Sequence, residues 1–177
     1  MGICGLSCLL CPRHNTESES RCYSCKTESR MSAGCPFITC AIKKKKIEFC
    51  WQCDESEKCG KWEGHREFGK KHDTFKSYGK LESDIAFAHK HGIQEHVKQQ
   101  QARAELLTIM LAEYNEGRSK SYYCIAATLL DISDLLKSLT EAKKTSEGLC
   151  IKDKAKCLHS IIDKKAKGQK ISLSLRK

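Results

Sequence analysis

The sequence predicts a mainly α-helical protein with a small, irregular, metal-stabilised module at its N-terminus. Ten of the thirteen cysteines fall between Cys4 and Cys59, in a segment with little hydrophobic periodicity. Beyond residue 78, apolar residues recur at helical spacing almost to the C-terminus. We therefore divide the chain into a cysteine-rich module, residues 1–62, and an α-helical domain of about four helices with a basic tail, residues 63–177.

The N-terminal module is too poor in apolar residues to fold by hydrophobic burial alone. Its apolar patches are short, as at Leu9–Leu10 and Pro36–Ile38, and a domain of roughly sixty residues usually needs metal ions or disulfides. The N-terminus lacks the basic and then apolar pattern of a secretory signal, and thirteen cysteines cannot all pair. We therefore expect metal rather than disulfides, and a reducing, cytoplasmic location.

The spacing of the N-terminal cysteines is typical of metal ligands. A CxxC pair directs two sulfur atoms toward one point, and two pairs provide the tetrahedral thiolate set that zinc prefers, at ~2.3 Å per bond. Three such pairs are present, beginning at Cys8, Cys22 and Cys50. We predict two zinc ions, with ten candidate ligands: Cys4, Cys8, Cys11, Cys22, Cys25, Cys35, Cys40, Cys50, Cys53 and Cys59.

The sequence leaves the division of these ligands open. Cys8/Cys11 with Cys22/Cys25 form one plausible site, and Cys50/Cys53 with two of Cys35, Cys40 and Cys59 form another. Two cysteines are then left over as buried thiols, alternative ligands or members of a bridged cluster, and the ligand order can be interleaved. An iron–sulfur cluster is the alternative cofactor, since Cys4, Cys8 and Cys11 match the CxxxCxxC spacing of radical-SAM clusters.

The same cysteines give the chain a resemblance to a known family. The stretches that carry it are Cys4-Gly5-Leu6-Ser7-Cys8-Leu9-Leu10-Cys11, the Cys22/Cys25 pair, Cys35-Pro36 with Cys40, and Cys50-Trp51-Gln52-Cys53 with Cys59. Together they resemble the prokaryotic cysteine-rich family known as domain of unknown function 3795, closely over residues 1–62 and loosely through Gly92-Ile93-Gln94-Glu95. One departure is Ser24, where that family often has a glycine. The resemblance implies a zinc-binding intracellular protein without an assigned activity.

The first two long helices are predicted from one apolar face each. Residues 63–78 are polar and predict a short helix or loop. The first face consists of Leu81, Ile85, Ala88 and His89, with Gly92 as the stop. The second face consists of Val97, Ala104, Leu107, Leu111 and Tyr114, and its helix ends near Gly117.

Two more helices and a tail follow. The third helix is capped by Ser119 or Ser121, and its face consists of Tyr122, Ile125, Ala126, Leu129, Ile132, Leu136 and Leu139. The fourth carries Ile151, Ala155, Leu158, Ile161 and Ile162. Apolar and polar residues alternate over Lys170–Lys177, which predicts a short strand or a tail that docks on another surface.

Several other residues have competing interpretations. Cys124, Cys150 and Cys157 lie in helical patterns, so we interpret them as small buried hydrophobic residues rather than ligands. The histidines of residues 65–96 are predicted to lie at the surface, whereas His14, close to Cys11, is a better candidate ligand. Trp51 and Trp62 flank the last cysteines and either pack over a metal site or stack on bases.

Charge and motifs restrict the possible functions. The net charge is +10, with foci at Lys43–Lys46 and in residues 146–177. Candidate phosphate contacts, which attract nucleic acid by counterion release, are Lys43, Lys44, Lys45, Lys46, Lys164, Lys165, Lys167 and Lys170. The sequence shows no apolar stretch of about 18 residues, no motif of a hydrolase or nucleotide-binding enzyme, and no sign of a small-molecule substrate.

These observations leave three hypotheses. The first is a binding or scaffold module with structural zinc that contacts a protein or nucleic acid and is not an enzyme. The second is an iron–sulfur or metal-handling redox protein. The third is an enzyme with a site between the two modules.

Overall fold

A computed structural model of the protein describes residues 1–25, 27, 35–72 and 78–174. Within these residues the chain is mainly α-helical, as the sequence predicts, and contains no β-strand. None of the described helices is long and apolar enough to cross a membrane.

In the segment before residue 60, the described residues form short turns and one short helix. Single 3₁₀ turns cover Cys8–Leu10, Cys50–Gln52 and Ser56–Lys58. The short helix α1, Pro36–Ile38, continues directly into a π-helical turn, Thr39–Lys44. A backbone hydrogen bond of 3.0 Å from the Cys50 amide to the Ile3 carbonyl joins the beginning and the end of the segment. Ile3, Ile38 and Ala41 form one small apolar cluster within it.

In the described residues from Gly60 onward there are six longer helices and one 3₁₀ turn, Tyr78–Lys80. The helices are α2 (Gly60–Lys71), α3 (Leu81–His91), α4 (Ile93–Tyr114), α5 (Lys120–Leu129), α6 (Ile132–Thr145) and α7 (Ile151–Gly168). Helix α2 runs across the predicted boundary between residues 62 and 63. Gly92 joins α3 to α4 with a φ of 86°, a backbone conformation that favours glycine.

The predicted third helix is in fact two helices. Leu130 and Asp131 have extended backbones, with ψ of 157° and 143°, and separate α5 from α6. If the helix continued, the Ala127 carbonyl would accept a hydrogen bond from the residue 131 amide. Instead, Arg103 Nη1 donates to the Ala127 carbonyl at 2.8 Å and to the Leu130 carbonyl at 2.5 Å. A side chain from α4 thus satisfies the C-terminus of α5.

The main hydrophobic core lies among helices α4 to α7. Its fully buried side chains include Leu107, Met110, Tyr123, Leu158 and Ile162. Leu10, from the cysteine-rich segment, is buried in this same core. A smaller cluster joins Leu6 to Trp62, Leu81 and Ile85. The two parts of the chain therefore share apolar contacts.

The buried faces of α3 and α4 differ from the predicted ones. On α3, His89 is exposed and Asp84 is buried instead. On α4, Val97 is 45% exposed, whereas the buried face begins with His96, Gln100 and Arg103 before it becomes apolar. Periodicity in apolar residues could not reveal a buried stripe whose first half is polar.

The C-terminal tail docks on the helices. Over the described residues 170–174 there is no strand, and Ile171 and Leu173 pack against the main core. The Ile171 amide donates to the Ala166 carbonyl at 2.9 Å, which turns the chain back after α7. Residues 175–177, including Leu175, lie outside the described residues.

Candidate metal centre

Four cysteines line one small cavity in the N-terminal segment. The cavity has a volume of about 40 Å³, and its sulfur-bearing residues are Cys40, Cys50, Cys53 and Cys59. Most of the other lining side chains are apolar, among them Phe37, Ile47 and Trp62. Such a space suits a single ion surrounded by thiols rather than an organic substrate, because ligand pockets usually measure ~300–1,000 Å³.

Cys50 lies at the centre of a wider group of thiols. Burial raises the pKa of the Cys50 thiol to about 12, and negative charge on neighbouring thiols adds to this shift. These neighbours are Cys4, Cys59, Cys40 and Cys35. Several thiolates cannot accumulate here without a compensating charge, and a bound cation would supply it.

Local backbone structure holds these cysteines in place. The 3₁₀ turn after Phe49 closes the Cys50–Cys53 pair, with the Cys53 amide donating to the Cys50 carbonyl at 3.2 Å. Gln52 Oε1 accepts hydrogen bonds from the amides of Glu48 and Phe49 at 3.0 and 2.9 Å, which fixes the approach to that turn. Cys59 directly precedes α2, and Cys40 lies in the π-helical turn.

A charged pair borders the cavity. Lys45, which lines it, donates a 2.6 Å hydrogen bond to Glu55 Oε2 and also interacts with the Cys53 sulfur. The pKa of Lys45 is raised, mainly by its hydrogen bond to Glu55 and next by its hydrogen bond to Cys53. Lys45 therefore places a positive charge beside the Cys53 sulfur.

A second group of cysteines surrounds the chain start. A Cβ atom built on Gly2 would lie 3.1 Å from Cys8 Sγ and 3.5 Å from Cys25 Sγ, so both sulfurs lie against the Gly2 backbone. Cys25 Sγ also accepts a 3.2 Å hydrogen bond from the Ile3 amide. His14 Nδ1 lies 2.9 Å from the Cys22 carbonyl oxygen, so one ring nitrogen is hydrogen-bonded to backbone. The structure thus brings Cys8 and Cys25, from two predicted pairs, close together.

The sulfur atoms are not in ligating positions. Within the described ranges, which include all thirteen cysteines, no three Cys, His, Asp or Glu side chains are arranged to hold a metal ion, and no disulfide is formed. The donor set nevertheless fits zinc, since thiolates are its preferred ligands in structural sites. Binding would require the cysteine sulfur atoms around the 40 Å³ cavity to come closer together.

Aromatic residues cover this region. Trp62 is buried and meets Phe37 edge to face, with ring centroids 6.4 Å apart. Trp51 is half-buried and stacks on Phe49 at 4.5 Å. Both tryptophans therefore pack beside the cysteine cluster. The buried ring of Trp62 is not accessible for stacking on bases.

The three later cysteines do not share one environment. Cys124 is buried as predicted, and burial raises the pKa of its thiol to about 12, with a smaller contribution from Cys11. The prediction of burial is wrong for Cys150, which is exposed and donates to Asp153 Oδ2 at 3.3 Å. Cys157 is half-buried, with its sulfur 3.0 Å from Thr145 Oγ1. Cys150 precedes the first turn of α7, where the apolar face has not yet begun.

The basic candidates lie mostly at the surface. Lys43, Lys44, Lys46, Lys164, Lys167 and Lys170 are exposed. Lys45 is paired with Glu55 as described, and Lys165 Nζ lies 3.9 Å from Asp134 Oδ1. Helix α7 buries Ala155, Leu158 and Ile162, whereas four of its lysines are exposed: Lys152, Lys156, Lys164 and Lys167.

Sequence reasoning missed two polar groups. One lies between α3, α4 and the chain start, where His96 is buried although we predicted a surface position. The i, i+4, i+7 spacing of His96, Gln100 and Arg103 was the available signal, since it continues the buried face of α4. The other group joins Ser119 to Glu116 and His159, and no sequence spacing indicated it.

Comparisons with protein-family models, curated proteins and solved structures find no match to the chain.

Proposed function

We propose that the protein binds zinc through its N-terminal cysteines and that zinc orders residues 1–59 against the helices. The observation that carries this proposal is the single 40 Å³ cavity lined by Cys40, Cys50, Cys53 and Cys59. The described part of this segment consists of short turns and one short helix, and its own apolar cluster, Ile3, Ile38 and Ala41, is small. Metal binding and folding are therefore expected to be coupled. The cysteine pattern's resemblance to domain of unknown function 3795 is consistent with this role.

The cysteines that lie close together suggest two sets of zinc ligands. The first set is Cys40, Cys50, Cys53 and Cys59, with Cys4 and Cys35 as alternative ligands because both act electrostatically on Cys50. The second set joins the pairs that contain Cys8 and Cys25, whose sulfurs both lie against Gly2. Its four members are Cys8, Cys11, Cys22 and Cys25.

An all-thiolate site favours a structural role over catalysis. Catalytic zinc usually keeps one position for water or substrate, whereas four cysteines close the coordination sphere. Apolar side chains such as Phe37 and Trp62 line the cavity and would shield the ion from substrate. Lys45, beside Cys53, would offset part of the negative charge of a tetrathiolate site.

Metal analysis tests this proposal directly. The full chain is purified under anaerobic conditions, and zinc, iron and acid-labile sulfide are measured per polypeptide. We expect two zinc ions and a colourless protein. Less than one zinc per chain contradicts the proposal, and a brown protein with iron and sulfide supports the iron–sulfur alternative instead.

The exposed Lys164 and Lys167 of α7, together with Lys170 after it, make nucleic acid the partner to test first. Binding of a short DNA duplex and a single-stranded RNA is measured against salt concentration. Each lost phosphate contact should make the negative slope of log Kobs against log salt shallower by about 0.9 for the duplex and about 0.7 for the single strand. A Lys164→Gln, Lys167→Gln, Lys170→Gln variant is preferable to a truncation, because Ala166, Ile171 and Leu173 contact the core. A matched variant with Lys43→Gln and Lys44→Gln separates the two basic foci. Absence of salt-dependent binding leaves a protein partner as the remaining hypothesis.

A further inference from the structure

A cleft on the helical half of the molecule contains a hydrogen-bonded serine and histidine. Ser119 immediately precedes α5, and its Oγ lies 2.8 Å from Nε2 of His159, which projects from α7. Ser119 also donates a 2.6 Å hydrogen bond to Glu116 Oε2. Ser119, His159 and Glu116 all line a cleft of about 730 Å³, which falls within the size range of small-molecule sites.

The imidazole of His159 is held firmly. Its ring stacks on that of Tyr122 with a centroid distance of 4.0 Å and an interplanar angle of 15°. Tyr123 meets it edge to face at 5.2 Å. The Tyr122 hydroxyl in turn donates to Asp163 Oδ1 at 2.7 Å. Two aromatic contacts and an anchored tyrosine therefore fix the ring next to Ser119.

Burial lowers the pKa of His159, with Glu116 and Asp163 acting in the opposite direction. The ring is therefore neutral near pH 7 and has a nitrogen able to accept a proton. A neutral histidine in hydrogen-bond contact with a serine is the arrangement that activates a hydroxyl as a nucleophile.

We propose that this cleft is an esterase site in which Ser119 is the nucleophile and His159 the general base, acting on small esters that carry a negative charge. The charge preference rests on Arg118, Lys152 and Lys156, which line the same cleft. The two carboxylates that also line it, Glu116 and Asp163, accept hydrogen bonds from Ser119 and Tyr122. Lys156 is already paired with Asp153 at 3.0 Å, which leaves Arg118 and Lys152 as the main attraction for an anion. The site lies within the helical half of the chain and does not depend on the metal proposal.

The reaction needs no cofactor or oxidant. Ser119 Oγ bonds to the ester carbonyl carbon while its proton moves to His159 Nε2, with the other ring proton on Nδ1. The carbon–oxygen bond to the alcohol then breaks, and the alcohol takes the proton from His159. Water attacks the acyl-serine, His159 accepts a proton from that water, and the proton returns to Ser119 Oγ as the carboxylic acid leaves.

Neighbouring groups have supporting roles. The amides of Lys120 and Ser121 follow the serine in the first turn of α5, where they have no acceptor within the helix and can stabilise an oxyanion. In the structure Ser119 donates its hydroxyl proton to Glu116, so His159 Nε2–H donates to Ser119 Oγ. Before attack the hydroxyl rotates toward His159, whose ring proton is then on Nδ1, and Nε2 becomes the acceptor. Tyr122 and Asp163 are positioning residues for His159.

Hydrolysis of 4-nitrophenyl esters by the full chain tests the proposal. One substrate is the anionic 4-nitrophenyl hemisuccinate and the other is the neutral 4-nitrophenyl butyrate. We expect release of nitrophenolate by the wild type, and a loss of roughly 100-fold or more in kcat/KM in both Ser119→Ala and His159→Gln. Ser172→Ala, which changes an exposed serine of the tail, should retain wild-type activity. Lys152→Ala should raise KM for the anionic ester more than for the neutral one.

Covalent labelling makes the test independent of turnover. A fluorophosphonate probe should modify Ser119, identified by peptide mass spectrometry, and should not modify Ser172. Because Ser119 is buried and replacement by alanine risks unfolding, Ser119→Cys and a circular dichroism melting curve of each variant accompany the test. Folded Ser119→Cys should lose the fluorophosphonate label. Absence of both label and hydrolysis in the wild type, or unchanged hydrolysis in folded Ser119→Ala, overturns the proposal.

Discussion

The Ser7 hydroxyl donates a 3.0 Å hydrogen bond to Oδ2 of Asp84. Ser7 lies between the first two cysteines, and Asp84 is a buried residue of α3, so this bond joins the cysteine-rich segment to the helices. The carboxylate also interacts electrostatically with His96 and Arg103 on α4. A buried polar group thus lies where the two parts of the chain meet, beside the apolar contact of Leu6 with Leu81 and Ile85.

Replacing Ser7 by alanine should destabilise the protein. Asp84 would lose its only side-chain donor described in the structure while it remains buried, which costs about 1–3 kcal/mol. Urea unfolding followed by circular dichroism measures the change. Ser133→Ala, at an exposed position of α6, is the control and should change the free energy of unfolding by less than about 0.5 kcal/mol. Equal stability of the two variants would contradict a role for the Ser7 bond.

Leu10→Ala should destabilise the helical core although Leu10 belongs to the cysteine-rich segment. Its side chain is buried in the core with Leu107, Met110 and Cys124, and removal of a buried leucine side chain costs about 2–5 kcal/mol. The matched control is Leu136→Ala, because Leu136 is 54% exposed. Thermal unfolding followed by the α-helical circular dichroism signal compares the stability of the two variants. A loss below about 1 kcal/mol in Leu10→Ala would mean that the segment does not dock as described.

Cys50→Ser should remove one metal ion from the protein. Cys50 lines the cavity and is the thiol on which Cys4, Cys35, Cys40 and Cys59 all act. We expect zinc content to fall from two ions to one per chain, with increased reactivity of the remaining thiols toward a thiol reagent. Cys150→Ser is the control, because Cys150 is exposed and lies outside both ligand sets. Unchanged zinc content in Cys50→Ser would exclude the ligand set centred on this residue.

His96 should make the protein less stable in mild acid. Burial lowers the pKa of His96 below its ordinary value of 6.5, although the charge of Asp84 acts in the opposite direction. Between the lowered pKa and 6.5 the unfolded chain binds more protons than the folded one, so the free energy of unfolding falls as pH decreases through this range. The stabilisation that depends on neutral His96 is fully present above pH 6.5, where the ring is uncharged in both the folded and the unfolded chain.

His96→Leu separates the contribution of His96 from that of Asp84. Burial raises the pKa of Asp84, so as pH falls the folded chain binds this proton before the unfolded chain does. The effect of Asp84 on the free energy of unfolding therefore has the opposite sign to that of His96. Neither ring nitrogen of His96 has a hydrogen-bond partner in the described part of the chain. The variant should therefore be at least as stable at pH 8, and its stability should fall less between pH 7 and pH 5. Denaturant unfolding at several pH values measures both. A steeper loss in His96→Leu than in the wild type would contradict the assignment.

The sequence predicted local features well where one residue type dominated a pattern. The CxxC pairs indicated the cysteine cluster, and the apolar spacing of Leu81, Ile85 and Ala88 correctly predicted the buried face of α3. The same method failed at Val97 and His89, which are exposed, because the buried faces there include Asp84 and His96. Polar residues in a core are stabilised by partners distant in sequence, and a single helix does not reveal those partners.

The sequence by itself determined that the chain is mainly helical, that apolar residues in its N-terminal segment occur only in short patches, and that thiols dominate that segment. These properties depend on composition and on spacing within a few residues. Only the tertiary structure decided that Cys40, Cys50, Cys53 and Cys59 share a cavity, that Arg103 ends α5, and that Ser119 meets His159. Each of these contacts joins residues separated along the chain, so it depends on how the helices and turns pack.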